Sequence, residues 1–328
     1  MIKLLLAALT GILYFLVLPE HSYALLAFIT YLPLLKALED TSLKQTYGLS
    51  LLAGMVMTAL CTPWMADVGQ TFFNIPHPLN LLLILEMAFI GAQPIAISMT
   101  LYCYIASRLP QFKIWLLPLS VIAIFSLFSP LLKSLLSYGF TEQNSIIQTV
   151  DITGVLGLEF IIIISNALFY QLFIANQQSL KSISIYLSLA LILLWLSYSQ
   201  WRLKTLSAQL LNMKPMTFTL MQPNRKPTLD AKNTNKIAQD NLWEFNQYQA
   251  LDKNKIELAI WPEGTFYGFL YDQQSTKNIK KLVKDRQIPL LFQDDYFSTN
   301  KAVIENRVYF LTHQNQLQQQ HYSKRELM

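Results

Sequence analysis

Ile256–Phe269 reads IELAIWPEGTFYGF. Its first half is apolar and rich in branched residues, the composition of a β-strand. The run ends on the carboxylate of Glu263, held between a Trp-Pro pair and a glycine. Pro262 fixes its own φ and keeps Trp261 extended, so the position of the acid is well defined. In α/β sheets reactive groups collect beyond the carboxyl ends of strands, which is where Glu263 stands. With Trp261 shielding one side from water, such an acid suits general-base work. It serves equally as the solvated end of a strand, and the stretch alone does not choose.

The sequence around it has the alternation of a soluble α/β layer. MTFTLMQ (216–222) reads as a strand and TNKIAQDNLWEFNQYQALDKN (234–254) as a helix, with Ile237, Leu242, Phe245, Tyr248 and Leu251 near one face. A short helix, STKNIKKLVKD (275–285), and the strands IPLLFQ (288–293) and NRVYFLTH (306–313) follow. Strand, helix, strand, helix, strand predicts an α/β sheet, and the continuous apolar strand ending at Glu263 predicts burial on both of its faces.

Upstream the chain changes character. Hydrophobic residues make up 53% of the whole, charged residues 14%, and the mean hydropathy is +0.32. Soluble domains carry roughly a quarter charged residues, so an all-soluble protein is excluded. The division falls near Arg202: a membrane domain over 1–201 and a basic, water-soluble domain over 202–328. Apolar runs of spanning length predict about seven transmembrane helices, at 2–18, 22–38, 44–65, 80–107, 113–129, 153–175 and 182–200. The first is read as a retained span, since no small-residue cleavage site precedes Pro19.

Orientation follows from the loop cations. With the N-terminus in the cytoplasm, Lys3, Lys36, Lys44, Arg108, Lys113 and Lys181 lie inside and only Lys133 outside. An odd number of spans then delivers residues 202–328 to the outer side, the periplasm of a Gram-negative cell. The net charge of +5 suits an anionic lipid surface, and no aromatic-interleaved basic stripe suggests nucleic acid. Cys61 and Cys103 both lie in apolar segments, where cysteines are usually inert, and their spacing is not that of a zinc site. Glu159 and Asn166, two helical turns apart, share one face of a span, a face expected to pack against other spans.

A set of stretches in order resembles the apolipoprotein N-acyltransferases. It comprises the polytopic region, QPN (222–224), AIWPEGT (259–265), IIQTVDITGVLGLEFIIIISNAL (146–168) and ENRVYFLTHQNQLQQQHYSKRELM (305–328). Residues 146–168 resemble the family's Gln…Asp-x-x-Gly-x-x-Gly-Leu-x-Phe…Asn signature. The last resembles the segment with Tyr-x-Lys-x-x-Leu that carries the family's lysine. The resemblance implies a nitrilase-like (carbon–nitrogen hydrolase, αββα sandwich) domain outside the bacterial inner membrane. It implies acyl transfer from a phospholipid, through a cysteine thioester, to the α-amino group of a lipoprotein's diacylglyceryl-cysteine. Glu263 then corresponds to the general base and Lys324 to the lysine that stabilises the oxyanion; no cofactor and no metal is called for.

The sequence departs from that pattern in two ways. Pro223 stands where a glycine is usual, and residues 202–328 contain no cysteine to match the nucleophile. Cys61, near the outer end of its span, is on the side the chemistry needs; Cys103 is at the inner end of its own. The expectation is an amino-terminal portion of the enzyme, truncated or split, with a companion chain supplying the missing half. The alternative is a non-catalytic membrane protein that binds phospholipid or lipoprotein.

Overall fold

A computed structural model describes all residues except 22, 129–133, 176–182, 223–245, 264–272, 298–303, 313, 315–321 and 324–328. The chain divides into two compact units, Met1–Asn212 and Met213–Met328.

The first unit is helical: α1 (Ile2–Val17), α2 (Leu32–Ala37), α3 (Leu43–Cys61), α4 (Trp64–Phe73), α5 (Leu81–Ala106), α6 (Lys113–Leu127), α7 (Val150–Phe173) and α8 (Ile183–Leu210). Among the described residues four helices are long and apolar enough to cross a membrane, built on α5, α6, α7 and α8. A fifth results if α3 and α4, bent by 63°, count as one span. Of the seven expected spans, four or five are thus single helices or bent pairs of that length among the described residues. The run expected at 2–18 is a helix of 16 residues. The run at 22–38 is broken into a 3-10 turn (Ala24–Phe28) and the short α2, with Pro33 in its first turn. Pro63 interrupts the run at 44–65, because proline brings no N–H and disfavours helical geometry in the residue before it. The segment after it is a helix, α4, where a loop was expected.

Close helix approach comes from small residues. A Cβ on Gly11 of α1 would stand 2.4 Å from the Ala53 carbonyl oxygen of α3, and one on Gly54 would stand 2.7 Å from Ala92 of α5. Small residues at such crossings let backbones pack with no competition from side chains, the usual device inside a bilayer. The expected face of α7 is also there. Asn166, fully buried, accepts the Tyr31 N–H at 2.9 Å and donates to the Ala27 carbonyl at 2.7 Å. It thereby satisfies backbone groups at the break before α2. Glu159, also fully buried, accepts the N–H groups of Leu136 (3.3 Å) and Ser137 (2.8 Å) at the start of a 3-10 turn, Leu136–Phe140. Non-helical backbone at membrane depth persists only where protein satisfies it, and these two side chains do so.

The second unit contains a five-stranded sheet in the order β1 (Phe218–Leu220), β2 (Leu258–Ile260), β3 (Leu290–Phe297), β4 (Ile304–Leu311), β5 (Tyr322–Ser323). β1, β2 and β3 are parallel; β4 and β5 are antiparallel additions. Between β2 and β3 the chain forms α9 (Gln273–Arg286), whose Ile279, Leu282 and Val283 are buried at helical spacing. They join Met221, Tyr248, Ala259, Leu290, Phe292 and Leu311 in one core. Most of the helix expected at 234–254 lies outside the described residues. β2 is not buried on both faces as expected. Ala259 is fully buried, while its neighbours Leu258 and Ile260 are half-buried.

Candidate functional site

β2 leaves the sheet through Trp261 and Pro262 and delivers Glu263, an exposed residue, at its carboxyl end. The backbone N–H of Trp261 bonds the Leu291 carbonyl at 2.9 Å, so pairing with β3 continues up to the proline. The Trp261 ring is buried and meets Tyr248 edge-on, with centroids 6.2 Å apart. Tyr248 is itself fixed by its hydroxyl, which donates to the Ile288 carbonyl; burial pushes its pKa well above the usual tyrosine value. Trp261, which with Pro262 sets the direction of the chain before Glu263, is thus anchored in the core.

Glu263 faces a cavity of about 240 Å3, with Trp261, Gln293, Asn306 and Tyr322 among its walls. Asn306, on β4, donates from Nδ2 to Glu263 Oε1 at 2.6 Å. Further along the same strands, the Glu305 carboxylate takes bonds from Arg307 Nε (2.9 Å) and Ser323 Oγ (2.8 Å), pinning β5 beside β4. The Glu305 contact raises the pKa of Arg307, so that guanidinium stays charged. Lys324 lies outside the described residues. Its neighbour Ser323 pairs across the sheet with Arg307, which adjoins Asn306 in the chain.

Asn306 and Tyr322 received no role from the sequence, although both stand in the stretch whose pattern was singled out. The signal was their place in that pattern; what it lacked was the pairing of β4 with β5 and the reach from β4 to the loop after β2.

Several residues of the stretch 146–168 hold the helices together. Asp151 receives Arg202 Nε at 2.8 Å and the Tyr198 hydroxyl at 3.2 Å, tying the first turn of α7 to α8. Gly154 has φ 66°, a conformation that side chains rarely adopt, and it breaks α7 just after that turn. Beside the break an apolar cavity of about 480 Å3 is walled by Ile122, Thr153, Leu156, Phe160, Leu191 and Trp195 of α6, α7 and α8. Its size and lining suit a hydrocarbon chain. Cys61 and Cys103 are both half-buried; Cys61 lies against Met57, with the sulfurs 4.0 Å apart. Among the described residues no group of three His, Cys, Asp or Glu side chains could hold a metal ion.

Comparison with known proteins adds to this geometry. Residues 10–168 match the family model described as the apolipoprotein N-acyltransferase N-terminal domain. The chain is 24% identical over 294 residues to an apolipoprotein N-acyltransferase of Geobacter metallireducens, covering 86% of this chain and 55% of that protein. It is 27% identical over 308 residues to one of Borreliella burgdorferi, covering 87% of this chain and 56% of the relative. The chain therefore spans about half the length of the curated relatives it matches.

Proposed function

Because residues 10–168 match the apolipoprotein N-acyltransferase N-terminal domain and both relatives carry that enzyme's name, we propose that this chain is of that family and serves N-acylation of lipoproteins, with Glu263 as the general base. On this reading residues 202–328 are a nitrilase-like domain on the periplasmic side of a bacterial inner membrane. The acyl donor is a phospholipid, and the acceptor is the α-amino group of an apolipoprotein's diacylglyceryl-cysteine. Glu263 takes the proton of a cysteine thiol, and the thiolate attacks the donor's ester carbonyl while the Lys324 ammonium stabilises the oxyanion. The lysophospholipid leaves with the proton, and a thioester remains. The acceptor amine then attacks it, giving an amide and returning the proton to the thiolate sulfur. Residues 202–328 hold no cysteine. On this reading the thiol comes from outside that segment.

One observation carries the reading: a carboxylate at the end of a parallel strand, bordering a cavity and held by Asn306 at 2.6 Å. The mixed sheet and the apolar cavity in the membrane unit are consistent with it. The test supplies membranes containing the full protein with a lipoprotein whose terminal amine is free, and weighs its N-terminal peptide by mass spectrometry. The expected result is a gain of one acyl chain, abolished by Glu263→Gln and by Lys324→Ala. Co-purification should recover any companion that bears the cysteine. Acylation that survives both substitutions sinks the reading and leaves a protein that binds phospholipid or lipoprotein without chemistry.

A further inference from the structure

At the end of the membrane unit that carries Lys3, Lys36 and Lys113, a cavity of about 600 Å3 opens where α2, α5, α6 and α7 meet. It lies at the ends of these helices: the last residues of α5, the first of α6, and the last turn of α7. Three of the four are built into segments long and apolar enough to cross a bilayer, so the cavity sits at the depth of lipid headgroups.

Its walls divide by chemistry. Leu35, Leu38, Ile114 and Ala167 make one side apolar. Glu39, Asp40 and Lys113 bring two negative charges and one positive charge to the same space. Glu39 is already engaged: Lys36 Nζ lies 2.5 Å from Oε2, and the Tyr170 hydroxyl donates to Oε1. Neither Lys113, a half-buried residue, nor the exposed Asp40 makes a side-chain hydrogen bond or ion pair among the described residues. An ammonium without a partner in the protein is open to the anion of a ligand, and such charge-assisted bonds are the strong ones.

A ligand that fits must bring an anion to Lys113, a cation to the Asp40 side and a hydrocarbon part to the leucines. A phosphodiester joined to a primary amine and carried on acyl chains has all three. A purely anionic headgroup would leave Asp40 facing negative charge, and a soluble zwitterion would leave the apolar wall wet. We propose that this cavity binds the headgroup of a zwitterionic aminophospholipid, its phosphate on Lys113 and its ammonium on Asp40. Neither Glu263 nor acyl transfer enters into this site, and its existence does not depend on the function proposed above.

The test uses the purified full chain, stripped of lipid in detergent and titrated with phosphatidylethanolamine or phosphatidylglycerol, with bound lipid counted by native mass spectrometry. Phosphatidylethanolamine should be retained in preference to phosphatidylglycerol. Lys113→Gln and Asp40→Asn should each weaken retention by about tenfold, the loss expected for one hydrogen bond to a charged group. Lys113→Arg should preserve it, and so should Lys44→Gln, which changes a lysine outside the cavity walls. Because Asp40 is exposed, Asp40→Asn remains a fair test even where an α6 variant fails to fold. Equal retention of both lipids, or undiminished retention by Asp40→Asn, overturns the proposal. So does displacement of the lipid by free phosphoethanolamine at equal concentration, which would make the soluble headgroup the ligand.

Discussion

Asn306 Nδ2 stands 2.6 Å from Glu263 Oε1, a bond that joins the loop after β2 to β4 across 43 positions of sequence. A hydrogen bond to a charged group contributes about 1.5–3 kcal/mol. Here it fixes one carboxylate oxygen of the proposed base. If Glu263 is the base, Asn306→Ala should slow acylation by about tenfold to a hundredfold, with the fall in kcat rather than KM. Asn306→Asp, which sets a second carboxylate against the first, should cost more and move the pH profile to higher pH. A kcat unchanged in both variants would reduce the bond to a surface contact.

Much of this arrangement was legible from residues, and the rest fails for definite reasons. IELAIWPEG marked a strand ending in a fixed acid because proline and branched residues act locally. The Asn306 bond was not legible, since it depends on which strands pair. In the membrane unit, hydropathy alone made 22–38 one run. It does not register that the run breaks near Tyr31, because the compensating group, Asn166, is 135 residues away. Likewise the charge boundary near Arg202 is not a helix boundary. α8 continues through Arg202–Leu210, a stretch of good helix formers.

The bonds of Asn166 make a stability prediction. Asn166→Leu keeps the branched shape of the side chain and orphans the Tyr31 N–H and the Ala27 carbonyl, both at buried residues. Each orphaned buried group costs about 1–3 kcal/mol. Thermal unfolding of the full chain in detergent should show a marked drop in Tm. A Tm equal to wild type would mean that the break before α2 is satisfied by other means.

Acid sensitivity should centre on Glu39. Burial draws its pKa upward, but the bonds from Lys36 and Tyr170 and the nearby Lys3 outweigh that, and the net direction is down. A depressed carboxylate stabilises the fold above its unfolded pKa, about 4.3. That contribution is lost as pH falls through the folded value and is not lost on the alkaline side. Glu39 is 38% exposed, so solvent screening keeps the effect small. Glu39→Gln should lower Tm at pH 7, with the difference from wild type shrinking on acidification toward pH 3. A gap that persists at the acid end would assign the effect to packing rather than charge.

Tyr248 offers a way to separate the firmness of the scaffold from the chemistry at Glu263. Its ring meets Trp261 edge-on at 6.2 Å, and its hydroxyl donates to the Ile288 carbonyl just before β3. Tyr248→Phe keeps the ring contact and deletes the bond, leaving a buried carbonyl short of a donor at a cost of about 1–3 kcal/mol. Tyr248→Ala removes both and opens a hole in the core, a loss of about 3–5 kcal/mol by analogy with other large aromatic truncations. Only the second change frees the Trp261 ring, and with it the Trp-Pro-Glu segment that aims the carboxylate. The Phe variant should therefore lower Tm while acylation at a permissive temperature stays near wild type. The Ala variant should lower both, even below its own Tm, because the base is no longer held in one place. If the two variants lose activity in proportion to Tm alone, Trp261 does not orient Glu263, and the anchor before it is only part of the core.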